Sequence, residues 1–297
     1  MRISSFQIYN RALDGILDQQ SGIDRLQRQL SSGKCFSLPS EAPVEAAQVL
    51  SLQERAARVE KYQNNIVQAR NRLGLEESAV SAAVDVMQRV RELAVQGLND
   101  TNSKADREAI AAELRLKLDE LLEIANTRDP NGEYLFAGAQ SRTRPFSHNG
   151  TGTFTYAGDQ TVREVKISDT RKVAMGHSGT EVFLAAPGSG KSAFSVLYTL
   201  ITDMEAGNPQ GSSLDDIDAV LNNLLGVQAE IGARMQVLDA QESINEDYLL
   251  GVEIARSRIQ DTDFASASIE FQRRLTALQA AQQAFVKVNG LSLFNYL

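Results

Sequence analysis

Apolar residues recur at alternating spacings of three and four near both ends of the chain, and this shared rhythm limits the folds open to it. Near the start, Phe6, Tyr9, Leu13, Ile16, Ile23 and Leu30 keep the phase, interrupted by Gln20 and Gln27. Near the end, Phe264, Phe271, Leu275, Leu278 and Phe285 keep it, interrupted by Ser268 and Gln282, and Val288, Leu291, Leu293 and Phe294 follow. Each set is a heptad seam, a narrow stripe along one helix. A single stripe buries little area and helix nucleation is costly, so neither helix is stable alone in water. Two kinds of partner remain open: the other terminal helix of the same chain, or the helices of neighbouring subunits.

The chain between the seams reads as helices around a β insert. Pro43 suits a first helical turn, and Leu52, Ala56, Val59, Ile66, Ala69 and Leu73 form a stripe after it. That stripe continues through Val80, Val84, Met87, Val90, Ala94 and Leu98, which predicts one helix, or two in line, over 44–98. Ser103 with Asp106 is an N-cap pair opening a helix through Ile110, Leu114, Leu118, Leu121 and Ala125, and "DPNG" at 129–132 ends it. From about 133, Thr, Gly and alternating residues take over in "GTFTYAGD", "TVREVKIS" and "TEVFL". Asn149-Gly150 is a preferred hairpin pair, and four to six antiparallel strands are expected. Helical spacing resumes with Ile217, Leu221, Leu224, Ile231, Met235 and Leu238.

The predicted fold class is mainly α with a small antiparallel β domain, drawn as an elongated hairpin of long helices with the terminal helices paired. Its segments are an N-terminal seam helix (1–43), a helical core (44–132), a β-rich insert (133–200), more helical core (201–256) and a C-terminal seam helix (257–297). An Ala-, Gln-, Leu- and Glu-rich chain of 297 residues with no Trp suits long helices with narrow seams.

Charge excludes several roles. The net charge is −8, with the ends slightly positive, so nucleic acid is not an expected partner. No apolar run approaches the length of a membrane span, and the N-terminus has no apolar region of a cleaved signal.

Chemical motifs are weak. "AAPGSGKS" at 185–192 fits a relaxed phosphate-loop pattern in which backbone N–H groups and Lys191 would hold phosphates. It lacks a strand ending in a metal-binding Asp and the alternating strands and helices of a parallel sheet. The expectation is a Gly/Ser turn with a solvated Lys191. "DTNSKADREAIA" has Ala105 and Ala111 where a calcium loop needs Gly and Glu, so capping is the better reading. Asp261 and Asp263 are expected at solvated helix positions, Cys35 in a small buried apolar role, and His148 and His177 in no zinc site. No enzymatic activity, cofactor or metal is expected.

Several blocks together carry a resemblance. "QLSSGKCFSLPSEAPVEAAQVLSL", "RVRELAVQGLND" and "ANTRDPNGEYLFAG" resemble the N-terminal region of the bacterial flagellin family. "IGARMQVLDAQESINEDY" and "SRIQDTDFASASIEFQRRLTALQAAQQAF" resemble its C-terminal region. The start "MRISSFQIYNRAL", "YAGDQTVREVKI" in the insert and the ending "LSLFNYL" are similar to the hook–filament junction member rather than to filament flagellin, the alternative. The chain departs from the family at Cys35-Phe36, where Arg-Ile is frequent, and at Glu41-Ala42-Pro43, where Asp-Asp-Pro is frequent.

The resemblance implies a structural axial protein of the flagellum, exported unfolded by type III secretion without a cleaved signal. It implies a ring of copies of itself between the first hook-associated junction protein and flagellin, and an export chaperone on the C-terminal region. It also implies terminal helices that line the inner tube and become ordered on assembly. The seam residues, Phe6 to Leu30 and Phe264 to Phe294, would then be the subunit interface.

Overall fold

The structure, a computed structural model, describes residues 5–184 and 190–294, with side chains in the terminal helices at 7, 9–32 and 264–287. Its helices are α1 (Ser5–Ser32), α2 (Pro43–Gly97), α3 (Lys104–Ala125), α4 (Ala193–Glu205), α5 (Ser212–Gln260) and α6 (Phe264–Phe294). Among the described residues, four short strands lie between α3 and α4: β1 (Phe146–His148), β2 (Phe154–Tyr156), β3 (Glu164–Lys166) and β4 (Lys172–Ala174). The fold is mainly α with a small antiparallel β insert. Two compact units make up the chain, Met1–Arg58 with Asp247–Leu297, and Val59–Glu246. They divide inside α2 and α5 rather than at the loops.

The second unit has one hydrophobic core. Ile66, Leu73, Val80, Met87 and Val90 of α2 meet Leu114, Leu118 and Leu121 of α3, Leu197 and Ile201 of α4, and Ile217, Leu224 and Ile231 of α5. These are the stripe positions of each amphipathic helix, so periodicity and burial agree. α3 begins with a capping box in which the Ser103 hydroxyl accepts from the Asp106 N–H and the Asp106 carboxylate accepts from the Ser103 N–H. After α3, the Asp129 carboxylate accepts from the N–H groups of Asn131 and Glu133, and Gly132 sits at φ +81°. Arg72 of α2 holds that turn, donating to the Leu135 carbonyl at 3.3 Å and lying 3.7 Å from Asp129.

The insert contains two separate hairpins. β1 pairs with β2, His148 opposite Phe154, and β3 pairs with β4, Val165 opposite Val173. The loop 149–153 between β1 and β2 places Gly150 and Gly152 at positive φ, but Asn149 does not share that conformation, so the turn is longer than the tight hairpin the Asn-Gly pair predicts. "TEVFL" is not a strand. It is a π-helical turn, Thr180–Leu184, in which the adjacent residues Val182 and Phe183 are both buried. A strand sends neighbouring side chains to opposite faces, so a helical turn is what lets both enter the core. Phe183 joins Phe146, Phe154 and Phe194 in an aromatic cluster with ring centroids 5.1–5.7 Å apart.

Candidate subunit interface

In the first unit, α1 and α6 pack antiparallel. At one end the rings of Tyr9 and Phe285 lie 5.1 Å apart. Midway, the Arg274 side chain lies across Gly22, where a Cβ would displace its guanidinium. At the other end Lys34 and Asp261 form an isolated antiparallel bridge. The Cys35 N–H donates to the Gln260 carbonyl at 2.7 Å, and the Thr262 N–H donates to the Gly33 carbonyl at 2.9 Å. Gly33, at φ +71°, turns the chain out of α1 into this clasp.

The shielded positions follow a heptad whose phase differs from the sequence reading. On α1, Ile16, Ile23 and Leu30 are shielded as expected, but their companions are Ala12, Gln19 and Leu26. Leu13, with Gln20 and Gln27, faces water instead. On α6, Phe271, Leu275, Leu278 and Phe285 are half-buried, and Ala267, Arg274 and Ala281 fill the alternate positions. Phe264 is 55% exposed and Tyr9 is 43% exposed. Adjacent apolar residues in α1, Ala12 and Leu13, made two phases compatible with the pattern; pairing takes the smaller residue inward. The side chains of Phe6, Leu293 and Phe294 lie outside the described residues.

Intramolecular pairing therefore leaves much apolar surface uncovered. Leu13, Leu17, Phe264, Ile269 and Val286 are exposed on the two helices. In the loop after α1 and the first turns of α2, Phe36, Pro39, Pro43, Ala46, Val49 and Leu50 line an apolar groove of about 440 Å³. Glu41 fixes the loop beside it. Its carboxylate accepts from the N–H groups of Ser37 and Leu38, which together with the nearby Arg28 hold it below the usual carboxylate range. Asp263 plays the matching part at the start of α6. It is bonded to the Ser266 hydroxyl and to the N–H groups of Ser266 and Ala265, and its pKa is likewise lowered.

Other residues singled out in the sequence take structural places. Cys35 is half-buried rather than buried, and its thiol donates to the Asp261 carbonyl at 3.1 Å within the clasp. Lys191 is half-exposed but not simply solvated, since its ammonium lies 2.6 Å from the Asp216 carboxylate. Ser192 caps α4, accepting from the Ser195 N–H. Residues 185–189 of "AAPGSGKS" lie outside the described residues. His148 accepts from the Gly150 N–H in the hairpin turn. His177 contacts Glu76 and Glu230, an association the sequence reading missed because 101 residues separate His177 from Glu76.

The terminal helices thus keep exposed apolar positions after pairing, in a chain that also carries long helices and a small β insert. Residues 3–141 match the bacterial flagellin N-terminal helical region, and residues 214–297 match the bacterial flagellin C-terminal helical region. The chain belongs to the bacterial flagellin family. Within it, the chain is 31% identical to flagellar hook-associated protein 3 of Escherichia coli, over 99% of both chains. The likeness to a Listeria monocytogenes flagellin is weaker, 23% over 92% of this chain and 90% of that one. The crystal structure of flagellar hook-associated protein 3 from Legionella pneumophila has the same fold. It superposes with a TM-score of 0.65 at 23% identity, covering 71% of this chain and 98% of that one.

Proposed function

We propose that this chain is a structural subunit of the flagellar axis that joins hook to filament and performs no catalysis. The observation that carries this reading is the 31% identity to a hook-associated protein 3 over 99% of both chains, whereas a flagellin that matches at 30% does so over 62% of this chain and 47% of its own. The proposed partners are further copies of the chain, the first hook-associated junction protein on the hook side and flagellin on the filament side. A chaperone on the C-terminal region would keep the chain competent for type III export to its extracellular position.

The uncovered side chains of α1 and α6 supply the physical reason for assembly. Terminal helices that bury only part of their apolar surface gain stability when neighbours cover the rest, so ordering and assembly are coupled. The interface is accordingly assigned to Tyr9, Leu13, Ile16, Ile23, Leu30, Phe264, Phe271, Leu275, Leu278 and Phe285, with Phe6, Leu293 and Phe294 continuing the seams. Leu13 and Phe264 face outward to neighbours, and the half-buried members hold the pair that presents them.

A seeding experiment separates this reading from filament flagellin. Short flagellar filaments incubated with the purified chain as sole subunit are expected not to elongate. Growth of long tubes would identify it as filament subunit instead.

A further inference from the structure

His177 precedes the π-helical turn and is 5% exposed, and Glu76 of α2 beside it is 3% exposed. Its Nδ1 lies 2.8 Å from Glu76 Oε1, and its Nε2 lies 3.2 Å from Glu230 Oε2 on α5. The His177 backbone N–H also donates to Glu76 Oε1, at 2.9 Å. A neutral imidazole has one N–H donor and one bare acceptor nitrogen. Between two carboxylates, the neutral ring must turn a lone pair toward an oxygen in either tautomer. Only the imidazolium donates to both.

The other charged groups around the ring fit this state. α2 contributes Arg72 beside Glu76 at Gly176, and α5 contributes Arg234 beside Glu230. Arg234 donates to the Gly176 carbonyl at 2.9 Å, holding the same segment from the α5 side. On the segment itself, Glu181 turns to the Ser178 N–H. Burial alone pushes the His177 pKa down, and Arg234 adds to that. The hydrogen bond and charge of Glu76, with the bond to Glu230, outweigh both and leave it raised.

We propose that protonated His177 is a latch fastening residues 175–179, and the β insert that leads into them, to α2 and α5, and that the fastening loosens as the pH rises. A raised folded-state pKa means the contribution is complete below the ordinary histidine value of about 6.5 and is lost as pH climbs through the higher folded value.

The full chain has two histidines, so a His148→Asn variant leaves one imidazole to follow by NMR. That ring is expected to titrate above about 6.5. Titration at or below that value overturns the latch. Urea unfolding supplies a second readout. The lead of the unsubstituted chain over His177→Gln should shrink steadily as pH is raised across this range, and a lead independent of pH contradicts the proposal. If His177→Gln fails to fold, the NMR titration still decides.

Discussion

Phe271→Asp is expected to exclude the chain from the assembled flagellum while leaving residues 59–246 folded. Phe271 sits half-buried in the seam where α6 meets α1, among Ala267, Arg274 and Leu275. The substitution removes a seam ring and puts a partly desolvated carboxylate in its place, so the narrow seam loses apolar burial and meets a polar group it does not accommodate. Folding of the second unit does not draw on this seam, because its core is built from α2, α3, α4, α5 and the insert. The check is paired: immunogold labelling of flagella for incorporation, and circular dichroism with urea for the second unit. Normal incorporation of the variant would remove the seam from the account.

Phe194→Ala should have the largest effect on stability, a loss of about 3–5 kcal/mol. The side chain is fully buried on α4 and lies against Phe146, Phe154 and Phe183. Those rings come from β1, β2 and the π-helical turn, so the truncation opens a cavity where that hairpin and the turn meet α4. Urea unfolding of the purified chain measures it. A loss under about 1 kcal/mol would mean that the cluster collapses to fill the space and does not anchor the β1–β2 hairpin.

How much of this was legible in the sequence depended on the range of the interactions involved. Helical periodicity marked α2 and α3 closely, since stripes such as Ile110, Leu114, Leu118 and Leu121 are repeated local signals. The Ser103 cap and the place of the turn at Asn149-Gly150, though not its tight form, were legible because their chemistry spans only a few residues. The heptad phase of the terminal helices was harder to read, as Ala12 and Leu13 are both apolar and only the facing helix selects between them. "TEVFL" has strand-like composition, but burial of both Val182 and Phe183 overrode that local preference. The Glu76–His177–Glu230 cluster has no sequence signature, because folding alone brings its members together. Even Lys191, the cation of an apparent phosphate loop, has its partner 25 residues away at Asp216.

The central claim is that this chain joins filament to hook. Electron microscopy of cells lacking only this chain measures it most directly. The account predicts intact hooks with no filament attached and flagellin released to the medium, with filaments restored by the unsubstituted gene. Filaments of normal length on the deletion strain's hooks would contradict it.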